Sequence, residues 1–242
     1  DINAFGTLNV LECTRKVCKD AAFIYCSTNK VYGENVDKIP LRELKSRYVY
    51  DGVSGVSEAM LTDLTGHTPY GVSKLTGDLY VQEYAHIYKM KTGVFRMSCT
   101  YGTRQFGFED QGWVAWFIIA TLFNKPITIY GNGKQVRDLL YVRDLVEAFD
   151  KFVKSKLRNE VFNIGGGQDY TISLLEFTSE LNKISGKKLK IVFKDWRPSD
   201  QKVYISDLRK INERLGWKPK VDIKEGIQRL IKWAKDNESY FS

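Results

Sequence analysis

Short apolar runs recur along this chain, and an amphipathic stretch of helical period separates each from the next. Ala21-Ala-Phe-Ile-Tyr-Cys26 is six residues without a charge, the pattern of a strand covered on both faces. Further runs follow at Gly93-Val-Phe-Arg-Met97, Pro126 to Tyr130, Val161-Phe-Asn-Ile164 and Leu189 to Phe193. Helical stretches read over Asn3 to Lys19, Pro69 to about Tyr88, Trp113 to Phe123, Asp144 to Lys154 and Ser173 to Ile184. Two more, near Asp207–Leu215 and Ile223–Trp233, close the chain. Strand–helix alternation predicts an α/β fold with a doubly wound, mainly parallel sheet, because parallel neighbours need a crossover and the crossover is usually a helix. Pro69 suits the first helical position, and Ser173-x-x-Glu176 is a capping box. Glu34 to Thr68 has weak periodicity and several glycines, so it reads as a long functional excursion.

Composition removes several classes of function. The chain has 242 residues, 43% of them hydrophobic, enough for one or two domains with a real core. It contains no run of eighteen apolar residues, so no membrane span is expected. Asp1-Ile-Asn-Ala-Phe-Gly6 lacks the basic start and apolar stretch of a signal peptide, and the expected setting is the cytoplasm. Cys13, Cys18, Cys26 and Cys99 have no CxxC or zinc spacing and read as reduced thiols. Two histidines, His67 and His86, make a histidine-based metal centre implausible, and no metal is expected. The net charge of +8 is spread out, densest at Lys183, Lys187, Lys188, Lys190 and Lys194. No nucleic-acid-binding signature accompanies it, so a solvated basic surface and an acidic small substrate are the reading, with no nucleic-acid partner.

Tyr70-Gly-Val-Ser-Lys74 sets a phenol and an ammonium four residues apart, on one face of the helix that Pro69 opens. A neighbouring cation favours phenolate, which can take a proton from a sugar hydroxyl. Upstream, Ser27-Thr28-Asn29-Lys30-Val31-Tyr32-Gly33 ends one apolar run, and downstream Arg96-Met-Ser-Cys-Thr-Tyr101-Gly102 ends another. Together these motifs resemble the extended short-chain dehydrogenase/reductase family, the NAD-dependent nucleotide-sugar epimerases and dehydratases. The resemblance implies a Rossmann-like fold, NAD as cofactor and a catalytic set of Thr28, Tyr70 and Lys74. Thr28 would bind the reacting sugar hydroxyl, Tyr70 would be the base, and Lys74 would tune Tyr70 while binding the nicotinamide ribose. Asn3, in a segment resembling the family's N-x-x-G-T-x-N-h-L-E helix, would lie on the cofactor side.

Neither G-x-G-x-x-G nor G-x-x-G-x-x-G followed by a helix occurs in these residues. The expectation is a fold lacking its first βαβαβ half, which by itself would bind NAD poorly. Residues 1–105 would be the rest of the NAD-binding domain with the catalytic residues. Residues 106–242 would be mainly a small α/β nucleotide-sugar-binding domain, with 137–165 a segment able to return to the first.

Gly131-Asn-Gly-Lys-Gln-Val-Arg137-Asp138-Leu-Leu-Tyr141-Val-Arg-Asp144 resembles the family's G-x-G-x-x-x-R-D-x-x-Y-V-x-D, and Trp196-Arg197-Pro-Ser-Asp200 its later R-x-x-D. By resemblance Arg137 and Arg197 clamp a nucleotide diphosphate, which suits the planar fork of arginine. The same resemblance implies that Tyr130 would contact the base. Asp138 is expected to be an arginine partner, Asp144 a helix cap and Asn163 structural. Cys99 stands where many relatives carry a phosphate-binding Asn.

Asn29 and Lys30 replace the Asp-Glu pair that follows Thr in the 4,6-dehydratases, so elimination lacks its acid and base and epimerisation is the expected reaction. Arg104-Gln-Phe106, Asp110-Gln-Gly-Trp-Val114, Tyr204-Ile-Ser-Asp207 and Gly216-Trp-Lys-Pro219 resemble the CDP-tyvelose (CDP-paratose) 2-epimerase subgroup. That implies a CDP-sugar substrate, oxidation at C2, Arg104 and Gln111 as substrate contacts, and a place in lipopolysaccharide carbohydrate synthesis. UDP-sugar 4-epimerisation and a catalytically silent nucleotide-sugar binder are the alternatives. The same resemblance implies a homodimer formed by the Asn3–Lys19 and Tyr70–Tyr88 helices.

Overall fold

A π-type turn, Ile2–Gly6, runs into helix α1 (Thr7–Val17), and strand β1 (Ala22–Thr28) follows. The computed structural model describes residues 1–187 and 189–241; Lys188 of the basic cluster lies outside them. After β1 comes a 3₁₀ segment, Asn29–Lys38, bent at Gly33. The weakly periodic excursion contains an antiparallel hairpin, β2 (Leu41–Glu43) and β3 (Tyr48–Tyr50). Strands of three residues are too short for periodicity to register, so the sequence reads there as loop. Helix α2 (Pro69–Tyr88) starts at Pro69 as the sequence predicts, and Thr68 Oγ1 accepts the Gly71 N–H at 3.1 Å. Strands β4 (Lys91–Met97) and β5 (Cys99–Tyr101) flank Ser98 and belong to different sheets.

The apolar helix α3 (Trp113–Leu122) precedes β6 (Ile127–Tyr130). Next comes β7 (Val136–Tyr141), a strand that the sequence reading lacks because Arg137-Asp138 interrupts its apolar run. Helix α4 (Val142–Lys154) then begins two residues before the expected Asp144. Asp144 therefore lies inside the first turn and is not the cap. Its Oδ2 accepts the N–H groups of Lys220 and Val221, each at 2.9 Å, and so pins a distant loop to α4. The chain continues through β8 (Glu160–Ile164), β9 (Thr171–Ser173) and α5 (Leu174–Ser185). At the start of α5 both halves of the Ser173–Glu176 capping box are made. Strands β10 (Ile191–Lys194) and β11 (Val203–Tyr204) and helices α6 (Arg209–Leu215) and α7 (Ile223–Asp236) complete it.

The strands are mainly parallel. One sheet has the order β1-β4-β8, with Tyr25 opposite Val94 and Val94 opposite Val161. A second has the order β11-β7-β5, with β9 antiparallel to β7, and β6 pairs in parallel with β10. Leu145, Ala148 and Phe152 form the buried stripe of α4 and pack with Phe95 and Phe162 of the first sheet. Around β5, β6 and β7 the core is built from α3 and α7, through Phe117, Ile118, Ile227 and Leu230. All four cysteines are free. Among the described residues no helix is long and apolar enough to cross a membrane, and no His/Cys/Asp/Glu group is placed to hold a metal ion.

Candidate active site

The carboxyl end of β1 meets the amino end of α2. Thr28 is buried at the strand end, where its Oγ1 accepts the Lys30 N–H at 3.3 Å. Gly71, beside Tyr70, packs against the Lys30 carbonyl so closely that a Cβ there would lie 2.9 Å from its oxygen. That contact brings the Thr28 turn to the Tyr70 turn. Tyr70 itself is half exposed. One helical turn on, Lys74 Nζ lies over the Tyr25 ring, 4.6 Å from its centroid, while Tyr25 Oη donates to the Lys74 carbonyl at 3.1 Å. Burial pulls the Lys74 ammonium below the usual lysine pKa, opposed by Cys26 and Asp78. Asn3 reaches this helix too: its Nδ2 donates to Ser73 Oγ at 3.1 Å, and Ser73 Oγ donates to the Tyr70 carbonyl at 2.8 Å.

Beneath this surface lies a buried polar network that motif reading does not resolve. Arg96 Nε donates to Asp78 Oδ2 at 3.0 Å, and Ser27 Oγ donates to the same oxygen at 2.7 Å. Arg96 Nη1 donates to Tyr32 Oη, which donates to Asn163 Oδ1 at 2.7 Å. The network joins β1, α2, β4 and β8, and it gives Asn163 the structural role expected of it. The available signals are an arginine inside an apolar strand and an aspartate four residues beyond Lys74 on the same helix face.

Arg137 and Arg197 line one cavity of about 400 Å³ together with Lys30, Thr68, Tyr130 and Asp200, a volume suited to a small ligand. Arg137 Nη2 pairs with Asp200 Oδ1 at 2.7 Å, and Arg197 Nη2 with Asp110 Oδ1 at 2.8 Å. The Arg197 guanidinium also stacks on Tyr130, its Cζ 3.8 Å from the ring centroid. The Trp196 ring packs against Gly131, whose φ of +82° and crowded Cβ position, 2.5 Å from the indole, make any other residue strained there. Gln135 is buried in the cavity wall and donates to the Tyr130 carbonyl at 2.6 Å. Thr68 links the cavity to the helix that carries Tyr70, since it both lines the cavity and caps α2.

Other expected residues stand apart. Neither Arg104 nor Gln111 lines the cavity. Arg104 is exposed with φ +66°, and Gln111 forms a backbone bridge with Phe108 beside the lining residues Asp110 and Gly112. Asp138 is not an arginine partner; that part belongs to Asp200. Asp138 is fully buried, accepts a short hydrogen bond from Ser98 Oγ, and takes the N–H groups of Gly167 and Ser206 at 3.0 and 3.1 Å. Burial pushes the Cys99 thiol up to about 12 despite Arg137 nearby, so it is a neutral group and no substitute for an amide donor.

The residues present fit the nicotinamide riboside end of NAD. Tyr70 and Lys74 stand one turn apart on α2, the Lys74 ammonium lies over the Tyr25 ring, and among the described residues no ion pair occupies it. The glycine-rich pyrophosphate turn does not occur in these 242 residues.

The sequence profile of the GDP-mannose 4,6 dehydratase family matches residues 1–230. A CDP-paratose 2-epimerase from Salmonella typhi is 41% identical over 242 residues, covering 97% of this chain and 71% of the relative. The crystal structure of a UDP-glucose 4-epimerase from Thermotoga maritima, with UDP-glucose, is 31% identical with a TM-score of 0.81 and covers 98% of this chain and 70% of that one. A UDP-glucuronic acid 4-epimerase from Bacillus cereus, in complex with UDP-glucuronic acid and NAD, is 29% identical with a TM-score of 0.79 over 97% of this chain and 67% of that one. With its parallel sheets, its Tyr70–Lys74 helix and its two-arginine cavity, the chain belongs to the GDP-mannose 4,6 dehydratase family, the NAD-dependent nucleotide-sugar epimerases and dehydratases.

Proposed function

We propose that the protein is an NAD-dependent CDP-paratose/CDP-tyvelose 2-epimerase in which Thr28, Tyr70 and Lys74 do the chemistry and Arg137 and Arg197 hold the diphosphate. The observation that carries the reading is the connection through Thr68 between the arginine-lined cavity and the amino end of α2. The 41% identity to a CDP-paratose 2-epimerase supports the choice of substrate. Bound NAD supplies a reversible hydride acceptor for the sugar carbon.

The protein's own part is positioning and proton transfer. Arg137 and Arg197 donate to phosphate oxygens as planar forks, and Tyr130 offers the base an aromatic face already stacked on Arg197. Thr28 orients the reacting hydroxyl, and Tyr70 removes its proton and later returns it. Lys74, one helical turn from Tyr70, supplies a positive charge to this face of α2 and binds the nicotinamide ribose. Asn29 Nδ2 donates to Gln201 Oε1 at 3.3 Å, and Lys30 is a cation. Neither supplies the carboxylate pair that elimination of water requires, which supports epimerisation over dehydration. Asn3, tied to Ser73, fixes the cofactor-side start of α2. Arg104 and Gln111 stand as substrate contacts at the outer rim. UDP-glucose 4-epimerisation is the second reading, favoured by the likeness to the Thermotoga maritima structure.

Exposed Phe5, Val10, Val72, Leu79 and Ile87 near and on α1 and α2 support a homodimer across these helices. The deciding experiment supplies NAD and CDP-paratose deuterated at C2 and follows the products by chromatography and mass spectrometry. Conversion to the 2-epimer with deuterium retained is expected. No conversion of the CDP-sugar together with turnover of UDP-glucose transfers the assignment to the second reading; no turnover of either by protein shown to bind NAD removes both readings.

A further inference from the structure

The arginine-lined cavity contains a third cation. Lys30 follows Thr28 by two residues and lines the same cavity as Arg137 and Arg197. Its backbone N–H is held by Thr28 Oγ1 and its carbonyl sits against Gly71, so its origin is fixed between the two catalytic turns. Its Nζ donates to the Ser199 carbonyl at 3.3 Å, inside the segment that carries Arg197 and Asp200. The side chain therefore spans from the reacting end of the site to the arginine end.

The acids lining the cavity have other partners. Asp200 pairs with Arg137, Asp110 with Arg197, and Glu109 accepts from Tyr130 Oη at 3.3 Å. Among the described residues no ion pair holds Lys30, and a single backbone carbonyl accepts from its ammonium. Burial, and after it the charge of Arg137, pull the Lys30 pKa below the ordinary lysine value, with Asp200 and Asp37 opposing. An anion seated between Lys30 and Arg137 would relieve both effects.

We propose that Lys30 is a third phosphate ligand, contacting the sugar-side phosphate of the nucleotide sugar and so selecting nucleoside diphosphates over monophosphates. The inference rests on the nucleotide-sugar reading of the cavity. An ammonium is a compact point charge with rotatable donors, suited to one phosphate at the bend where diphosphate meets sugar, whereas the arginine forks grip along the chain. The reading also gives a physical reason for a cation where 4,6-dehydratases place a carboxylate: this position holds phosphate and leaves the proton chemistry to Tyr70.

Titration calorimetry with CDP and CMP tests it in the wild type, Lys30→Met and Lys30→Arg, at two salt concentrations. Lys30→Met is expected to weaken CDP about ten-fold or more, leave CMP within about two-fold and flatten the salt dependence for CDP, with Lys30→Arg restoring most of the loss. Unchanged CDP affinity in Lys30→Met overturns the inference. So does an equal loss for CMP and CDP, which would make Lys30 a prop for the cavity wall. Wild-type protein that binds neither nucleotide overturns the nucleotide-sugar reading itself, and the inference with it.

Discussion

Arg96 of β4 and Asp78 form a buried ion pair, Nε to Oδ2 at 3.0 Å, that ties the strand to the buried side of the helix presenting Tyr70 and Lys74. Asp78 is wholly buried and also accepts from Ser27 and Gln82. Removing one member leaves the other charged and without its partner in a dry interior. Asp78→Ala is expected to cost about 3–5 kcal/mol in urea unfolding. The double change Asp78→Leu with Arg96→Met should recover much of that loss. A double variant as unstable as the single one would mean that the wider network, and not the pair, carries the stability.

Tyr70→Phe keeps the ring and removes the acidic proton. Because Tyr70 is half exposed and its backbone carbonyl, not its phenol, accepts from Ser73, the fold should not change. Turnover is expected to fall about 10³-fold with nucleotide binding unaltered. A variant that keeps more than a tenth of wild-type turnover would remove Tyr70 from the role of base.

Arg137→Lys tests the diphosphate grip. Lysine preserves the charge that faces Asp200 but loses the paired donors. CDP affinity should fall about ten-fold while the melting temperature stays close to wild type. Equal affinity in the variant would mean that Arg137 serves only its ion pair with Asp200.

Much of the fold is legible in the chain because the strongest local signals are strong for stated reasons. Pro69 can start a helix but not continue one, and Ser173 with Glu176 satisfies two orphan N–H groups at once. The uncharged run before Thr28 does form a parallel strand, although Cys26 within it is exposed and the strand is not covered on both faces as its pattern predicts. What the chain hides is long-range. Strand β7 carries Arg137 and Asp138 in its middle, and the covering partner of each comes from far away in sequence: Asp200 for the arginine, Ser98 and Ser206 for the aspartate. Reading Asp138 as an arginine partner fails: successive strand residues face opposite sides, so Arg137 beside it points away, and its carboxylate is taken by Ser98, Gly167 and Ser206. Asp144 fails as a cap for a similar reason, since its carboxylate is taken by Lys220 and Val221. Of the candidate site, Thr28, Tyr70, Lys74 and both arginines stand out by motif, whereas the contact of Lys30 with the Arg197 segment forms only when residue 199 folds back over it.

Glu176 makes acid stability testable. Burial alone would raise its pKa, but hydrogen bonds from Arg47, the Ser173 N–H and Ser46 more than reverse this and hold it at about 2, below the ordinary 4.5. A carboxylate depressed in the folded state adds stability above its unfolded pKa and loses it as pH falls through the folded value. Wild-type stability should therefore decline from about pH 4.5 toward pH 2, and Glu176→Gln should decline less steeply across that window. Parallel acid-unfolding curves would show that the Arg47 contact is not formed in solution.

The α1–α2 face gives a further test. Sedimentation should report twice the chain mass for the wild type, and Val72→Glu with Leu79→Glu, both at exposed positions, should report the single mass. A monomeric wild type would remove the dimer from the proposal.

The buried carboxylate of Asp138 ties together chain positions 98, 167 and 206. Opening any one of these segments strips a partner from a group that has no water to turn to, so each is discouraged from opening while the others stay closed. The walls behind the arginines should then exchange their amide hydrogens as one class, and the cavity should not exist in a chain folded only as far as β7. Assembly of the ligand site becomes a late event in folding, completed when the segment around Ser206 arrives.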